Sequence, residues 1–137
     1  MSESGNGLTT IASAHSVRET IDRLAAIVTS KGLNVFARID HAAGAASAGM
    51  PLRPTELLIF GHPKGGTPLM QDRQISGIDL PVKALAWEDE DGKVWLSYND
   101  PYWIAERHGL GQNSDQAVQA IAAGMGKVTA AAVGSQG

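Results

Sequence analysis

Apolar residues along this chain follow two rhythms. From Val17 to Lys31 they recur at helical spacing, with Val17, Ile21, Leu24 and Val28 on one face. The segment opens on Ser16-Val17-Arg18-Glu19, a capping-box pattern in which the Ser16 oxygen accepts from a first-turn amide. Gly32 is placed to end it, because glycine enters the left-handed region cheaply. A second helical stripe runs through Val118, Ile121, Met125 and Val128, with Asn113 as its expected cap. Gly124 and Gly126 interrupt that stripe, each weakening a helix by about 1 kcal/mol relative to alanine. Close packing on a neighbour is the expected reason they are tolerated.

The second rhythm has a period near two. Residues 7–14 read weakly as a strand, and 34–40 alternate with Val35, Ala37 and Ile39 on one side. The run from Leu57 to Phe60 is continuously apolar, as in an interior strand buried on both faces. Residues 82–87 and 93–98 form the arms of a hairpin around the acidic turn at Asp91-Gly92. Both arms carry apolar side chains on both faces, so the second face should be covered by residues 61–80 or by another subunit. A short Ala-rich helix is expected after Asp40, ending near Ala48, and another short helical piece after Asp100-Pro101, ending at Gly109.

The order is strand, helix, four strands, helix. It predicts an α+β fold: a β-α-β-β-β-β-α two-layer sandwich with an antiparallel sheet and two main helices on one face. The whole of 1–137 reads as a single domain with its core over about 7–132 and loose ends. Its 137 residues suit one domain. Net charge is −3, and the eleven Lys and Arg are scattered, whereas a nucleic-acid binder needs a basic face. No nucleic-acid partner is therefore expected. The absence of cysteine excludes disulfides, thiolate metal sites and Cys nucleophiles. No membrane-spanning run and no basic-then-apolar leader is visible, and the expected location is the cytoplasm.

The stretch Phe60-Gly61-His62-Pro63-Lys64-Gly65-Gly66-Thr67-Pro68-Leu69 invites comparison with a phosphate loop. A Walker loop needs G-x-x-x-x-G-K-[ST], but here Lys64 precedes the glycines and Pro63 and Pro68 each remove an amide. The readings left are a structural turn or a site for a non-nucleotide anion, with a helix starting near Thr67-Pro68.

Several features together carry a family resemblance. They are Asp40-His41 after a strand, Phe60-Gly61-x-Pro63 with Gly66-Thr67, Leu80-Pro81, and Asp100-Pro101. Over about Val35 to Leu110 the chain resembles the bacterial and archaeal family known as domain of unknown function 302. The resemblance implies a β-α-β4-α fold of the TATA-box-binding-protein-like group, commonly a homodimer, and no established reaction. A departure is His62, where the family usually has asparagine. Likeness of fold to a DNA binder transfers no function.

Polar and glycine residues at strand ends define the candidate ligand site: Asp40, His41, Gly61, His62, Lys64, Gly66, Thr67 and Asp100. For catalysis the candidates are Asp40, His41 and Lys64, with His41 as general acid or base, Asp40 orienting it and Lys64 as electrophilic clamp. The plainer roles are a helix cap for Asp40 and Asp100 and a solvated surface position for Lys64. Histidines 15, 41, 62 and 108 show no zinc-binding spacing, so no metal site is assigned, although distant histidines could still meet over zinc or haem. No serine lies in a G-x-S-x-G context. The aromatic residues concentrated after residue 86 read as core or dimer packing, with a ligand-stacking wall as the alternative. The leading expectation is a homodimer binding a small molecule, anions included, with no cofactor named. The rivals are an enzyme built on His41 and an interaction module without a ligand.

Overall fold

The structure is a computed structural model that describes residues 6–134. The expected loose ends, residues 1–5 and 135–137, lie outside the described residues. Five strands form one antiparallel sheet: β1 (Leu8–Ser13), β2 (Asn34–Asp40), β3 (Thr55–Gly61), β4 (Lys83–Glu88) and β5 (Val94–Asn99), in the order β1-β5-β4-β3-β2. Helix α1 (Val17–Ser30) follows β1, α2 (His41–Ser47) follows β2, and α3 (Pro63–Asp72) follows β3. A short 3-10 segment over Gln74–Asp79 then leads to the cis Leu80-Pro81 bond before β4. After β5 come α4 (Pro101–His108), a 3-10 turn at Gln112–Ser114 and α5 (Asp115–Val133). The α+β architecture is the one the alternation of periods predicts.

The core lies between one sheet face and the two long helices. Leu58, Phe60, Ala84, Ala86 and Leu96 face α1 through Ile21, Leu24 and Val28, and α5 through Met125 and Val128. The alanines on β4 leave the room that α1 fills. Arg23 joins α1 to the end of α5. Arg23 on α1 donates from Nε to the Ala132 carbonyl at 2.8 Å and from Nη2 to that of Ala131 at 2.9 Å, satisfying the end of α5. Ser16 caps α1 as its pattern predicts, accepting from the Glu19 amide at 3.1 Å. At the sheet's β2 edge, Arg38 pairs with the buried Glu56 at 2.9 Å and with Asp22 at 2.7 Å. Burial works against the Arg38 charge, but its bonds to Asp22 and Glu56 win and hold it more firmly protonated than usual.

The other sheet face carries Leu57, Ile59, Leu85 and the cross-strand pair Trp87 and Trp95, with ring centroids 6.4 Å apart. Residues 61–80 do not cover it. Helix α3 and the 3-10 segment pack instead on α4 and α5. Of the two covers expected for this face, the intrachain one is thus removed. The indole N–H groups find partners on the same face and at its turn: Trp87 donates to Ser97 Oγ at 2.9 Å and Trp95 to Asp89 Oδ2 at 2.8 Å. The Trp95 bond, with the Lys93 amide, holds the Asp89 carboxyl below its usual range.

Three local expectations need correction. α5 begins after Ser114 and is not capped by Asn113, which lies within the preceding 3-10 turn; the Ser114 hydroxyl donates to Asp72 Oδ2 at 2.8 Å, so it makes no side-chain cap bond. α3 starts at Pro63, four residues before the expected Thr67. The strand at 34–40 does not keep simple alternation: a bulge between Val35 and Ala37 leaves Phe36 53% exposed.

Candidate functional site

The stretch around Lys64 is a strand-to-helix junction. Gly61 ends β3 at φ 155°, a backbone that side chains with a Cβ rarely adopt. His62 then takes the cap position, its Nδ1 accepting from the Lys64 amide at 3.1 Å, and Pro63 occupies the first helical position. The Gly65 and Gly66 amides donate to the His62 carbonyl at 2.9 and 3.2 Å. Every amide of the first turn is therefore engaged or missing, and no phosphate cradle forms. A cap signal at His62-Pro63 was present in the sequence, but histidine is an unusual cap and the glycines that follow oppose a helix.

This junction forms one wall of a cavity of about 920 Å³. Its floor is apolar: Phe60 from β3, Val82 ahead of β4, and Met125 and Val128 from α5. Ile121 and Met70 line its sides, and the bulged Phe36 stands at its edge. Its charged groups are Lys31 at the end of α1, Lys64 in α3 and Lys127 on α5, all exposed, with the His62 ring beside them. No Asp or Glu is among the lining residues.

The outer wall is tied in place by carboxylates outside the cavity. Asp72, at the end of α3, accepts from the Gly111 amide and the Ser114 hydroxyl, both at 2.8 Å. Those bonds, the Gly111 amide first, hold its carboxyl below the usual range. Asp79 accepts from Arg107 Nη1 at 3.0 Å and lies 2.6 Å from His108 Nε2, joining the 3-10 segment to α4.

The predicted site residues divide into two groups. Gly61, His62, Lys64, Gly66 and Thr67 line the cavity. Asp40 and His41 do not reach it. Antiparallel pairing places Gly61 opposite Asn34 and Asp40 opposite Glu56, so the two ends of β2 are separated by six residue steps, roughly 20 Å. The shared cavity expected for His41 and Lys64 does not form. Asp40 Oδ1 caps α2 by accepting from the Ala43 amide at 2.8 Å, and His41 opens that helix with an exposed ring. Asp100 lies at the cavity's end of the sheet, but it caps α4 through the Tyr102 amide at 2.9 Å and is absent from the lining. No Trp or Tyr lines the cavity either. Among the described residues no three His, Asp or Glu side chains converge as a metal site would require.

Sequence reasoning missed Lys31, Phe36, Ile121, Gly124 and Lys127 as site residues. A usable signal was Gly124. A Cβ there would meet nothing within 4 Å, so close packing does not require the glycine; it borders the cavity instead. A Cβ at Gly126 would also meet nothing, and nothing in the structure explains that glycine.

Comparison with known proteins places these features in a family. The model for the domain of unknown function DUF302 matches residues 9–128. A crystal structure of an uncharacterised conserved DUF302 protein from Bacillus stearothermophilus is similar in fold, with a TM-score of 0.73 at 20% identity, covering 94% of this chain and 97% of that one. Among curated proteins, the chain is 58% identical over 129 residues to fluoride-specific ion channel FluC 1 of Brucella suis biovar 1 (strain 1330). It is equally similar to FluC 2 of Brucella melitensis biotype 1. The match covers 94% of this chain but only 51% and 48% of those proteins, so the chain spans about half the length of the curated relatives it matches.

Proposed function

Because the chain belongs to the DUF302 family, whose description names no reaction, we propose its role from its cavity: it is a ligand-binding domain that holds a small organic molecule between the β3–α3 junction and α5. The observation that carries this reading is the cavity of about 920 Å³, in the upper part of the size range of small-molecule sites, with an apolar floor and a few polar groups at one side. Gly61, His62, Lys64, Gly66 and Thr67 belong to that site. Asp40, His41 and Asp100 receive no part in it, because none of them lines this cavity. We place a second copy of the chain on the open sheet face, where Leu57, Leu85, Trp87 and Trp95 form a partly buried apolar surface that residues 61–80 leave uncovered.

The test is Gly124→Leu. The added side chain enters open space beside the cavity and removes a glycine from a helix, so the variant should be as stable as the parent or up to about 1 kcal/mol more stable. Any small molecule that raises the melting temperature of the parent should raise that of the variant far less. An equal rise in both would place the bound molecule elsewhere.

A second reading rests on the Brucella relatives. Their names describe a fluoride-specific ion channel, and this chain matches about half of each. No helix of the described residues is long and apolar enough to cross a membrane. We therefore assign any membrane-spanning part of those relatives to their unmatched half, and on this reading the domain docks on a membrane partner of that kind. A tagged copy of this chain, co-expressed with the unmatched half of the Brucella suis protein, should retain it through purification in mild detergent. Recovery of the tagged chain alone would count against the partnership.

A further inference from the structure

We propose that the cavity's ligand is an amphipathic anion: a molecule with one carboxylate-type head and a hydrocarbon body, of the fatty-acid class. The proposal rests on the reading of this cavity as a ligand site and names what that site would take.

The charge around the cavity favours an anion. The chain carries 14 Asp and Glu against 11 Lys and Arg, yet the cavity is lined by three lysines and no carboxylate. The three come from separate elements, α1, α3 and α5, so a local run of basic sequence does not explain their meeting. Among the described residues none of the three takes part in an ion pair, which is equally true of Lys83 and Lys93, so their ammonium groups are not held by a carboxylate. Three like charges around one apolar opening repel one another and attract an anion.

The charge sits to one side of the apolar surface. Lys31, Lys64 and Lys127 are exposed, while the apolar wall that a ligand could still cover comes from the partly buried Leu33, Met70, Val82 and Ile121 over the buried Phe60, Met125 and Val128. Charge thus lies at the mouth and hydrocarbon at the floor. A head group held at the mouth keeps its hydration on one side, and the body it carries removes apolar wall from water at roughly 25 cal/mol per Å².

The common polyanions do not fit this site. A nucleotide or sugar phosphate needs several donors converging on its phosphates. Here the first-turn amides of α3 are spent on His62, Pro63 offers none, and the walls below are apolar. A single anionic head needs only the ammonium groups.

The test uses the four methionines of the full chain, labelled at their methyl groups for NMR. Met70 and Met125 line the cavity, whereas Met50 lies outside it and is 63% exposed, an internal control. Decanoate, decanol, decylammonium and butyrate are titrated separately. Decanoate should shift Met70 and Met125 but not Met50. Decanol should need about tenfold more for the same shift, decylammonium still more, and butyrate should act weakly because it lacks the body. Added salt should weaken decanoate and leave decanol unchanged. The variant with Lys31, Lys64 and Lys127 all changed to alanine should bind decanoate no better than decanol. Decanol binding as tightly as decanoate, or a triple variant that binds decanoate normally, would overturn the anionic class while leaving the cavity as a site. Silence of Met70 and Met125 toward all four would overturn both. Sedimentation of the protein with phosphatidylglycerol vesicles, alongside methyls unmoved by monomeric decanoate, would assign the lysines to a membrane surface and also overturn the proposal.

Discussion

Truncating Leu58 to alanine lowers the unfolding free energy by about 2–5 kcal/mol, while the same change at the neighbouring Leu57 lowers it by about 1 kcal/mol or less. The two leucines are consecutive on β3, so their side chains leave opposite faces of the sheet. Leu58 is 0% exposed beneath α1 and is registered against Ala84, whose small side chain cannot close a void. Loss of its methyl groups therefore leaves a cavity as well as lost burial. Leu57 stands on the open face against Leu85, where solvent and neighbouring side chains fill the space of a truncated residue. Urea unfolding followed by far-ultraviolet circular dichroism, at a protein concentration where the parent is monomeric, separates the two. Similar losses at both positions would mean that the open face is covered within one chain. Leu57→Glu serves the dimer reading: it should turn a dimeric parent into a monomer by light scattering, and a parent that is monomeric at high concentration would refute the pairing.

Gly7→Ala is the other substitution with a large expected effect, about 2–5 kcal/mol of destabilisation. Two physical causes add. Gly7 has φ 77°, where an alanine costs about 1–2 kcal/mol. Its Cβ would also lie 2.3 Å from Cγ and Cδ2 of Trp103, well inside van der Waals contact with the indole, and overpacking of that kind costs about 1–3 kcal/mol. The indole has little freedom to withdraw. Arg107 sits 5.7 Å from its ring centre, and the Asp100 amide donates to the Gly7 carbonyl at 2.7 Å, locking the start of α4 to the start of β1. The check is a double-mutant cycle with Trp103→Ala. Without the indole, Gly7→Ala should retain only its backbone penalty, so the pair of changes should cost less than the sum of the two alone. Strict additivity would show that the contact carries no energy.

The elements were largely legible because their signals are local. Ser16 and Gly32 bracket α1, the stripe Val118, Ile121, Met125 and Val128 marks α5, and the turn at Asp91-Gly92 separates β4 from β5. The apolar run at Leu57–Phe60 indicated an interior strand, and β3 does lie between β4 and β2, but only one of its faces is buried, not both as expected. The site was legible only in part. The residues around Lys64 were found because glycines and prolines mark a change of chain direction. Lys31, Phe36 and Lys127 were not, because each looks ordinary in its own segment and becomes significant only when α1, β2 and α5 converge. Ile121 was assigned to a buried stripe, yet it is only partly buried and faces the cavity. Grouping Asp40 and His41 with Lys64 treated all strand ends as one place. In an antiparallel pair the C-terminal ends of the two strands lie at opposite ends of the pair, and here β2 and β3 are such a pair.

The account depends on the space beside α5 being occupied by ligand rather than left as a gap between elements. The most direct measurement compares the methionine-methyl spectra of the parent and of Gly124→Leu during the same decanoate titration. The account predicts saturable shifts of Met70 and Met125 in the parent, an unmoved Met50 in both, and loss of the response in the variant. Shifts of equal size and affinity in both proteins, or a saturable response at Met50 alone, would contradict it.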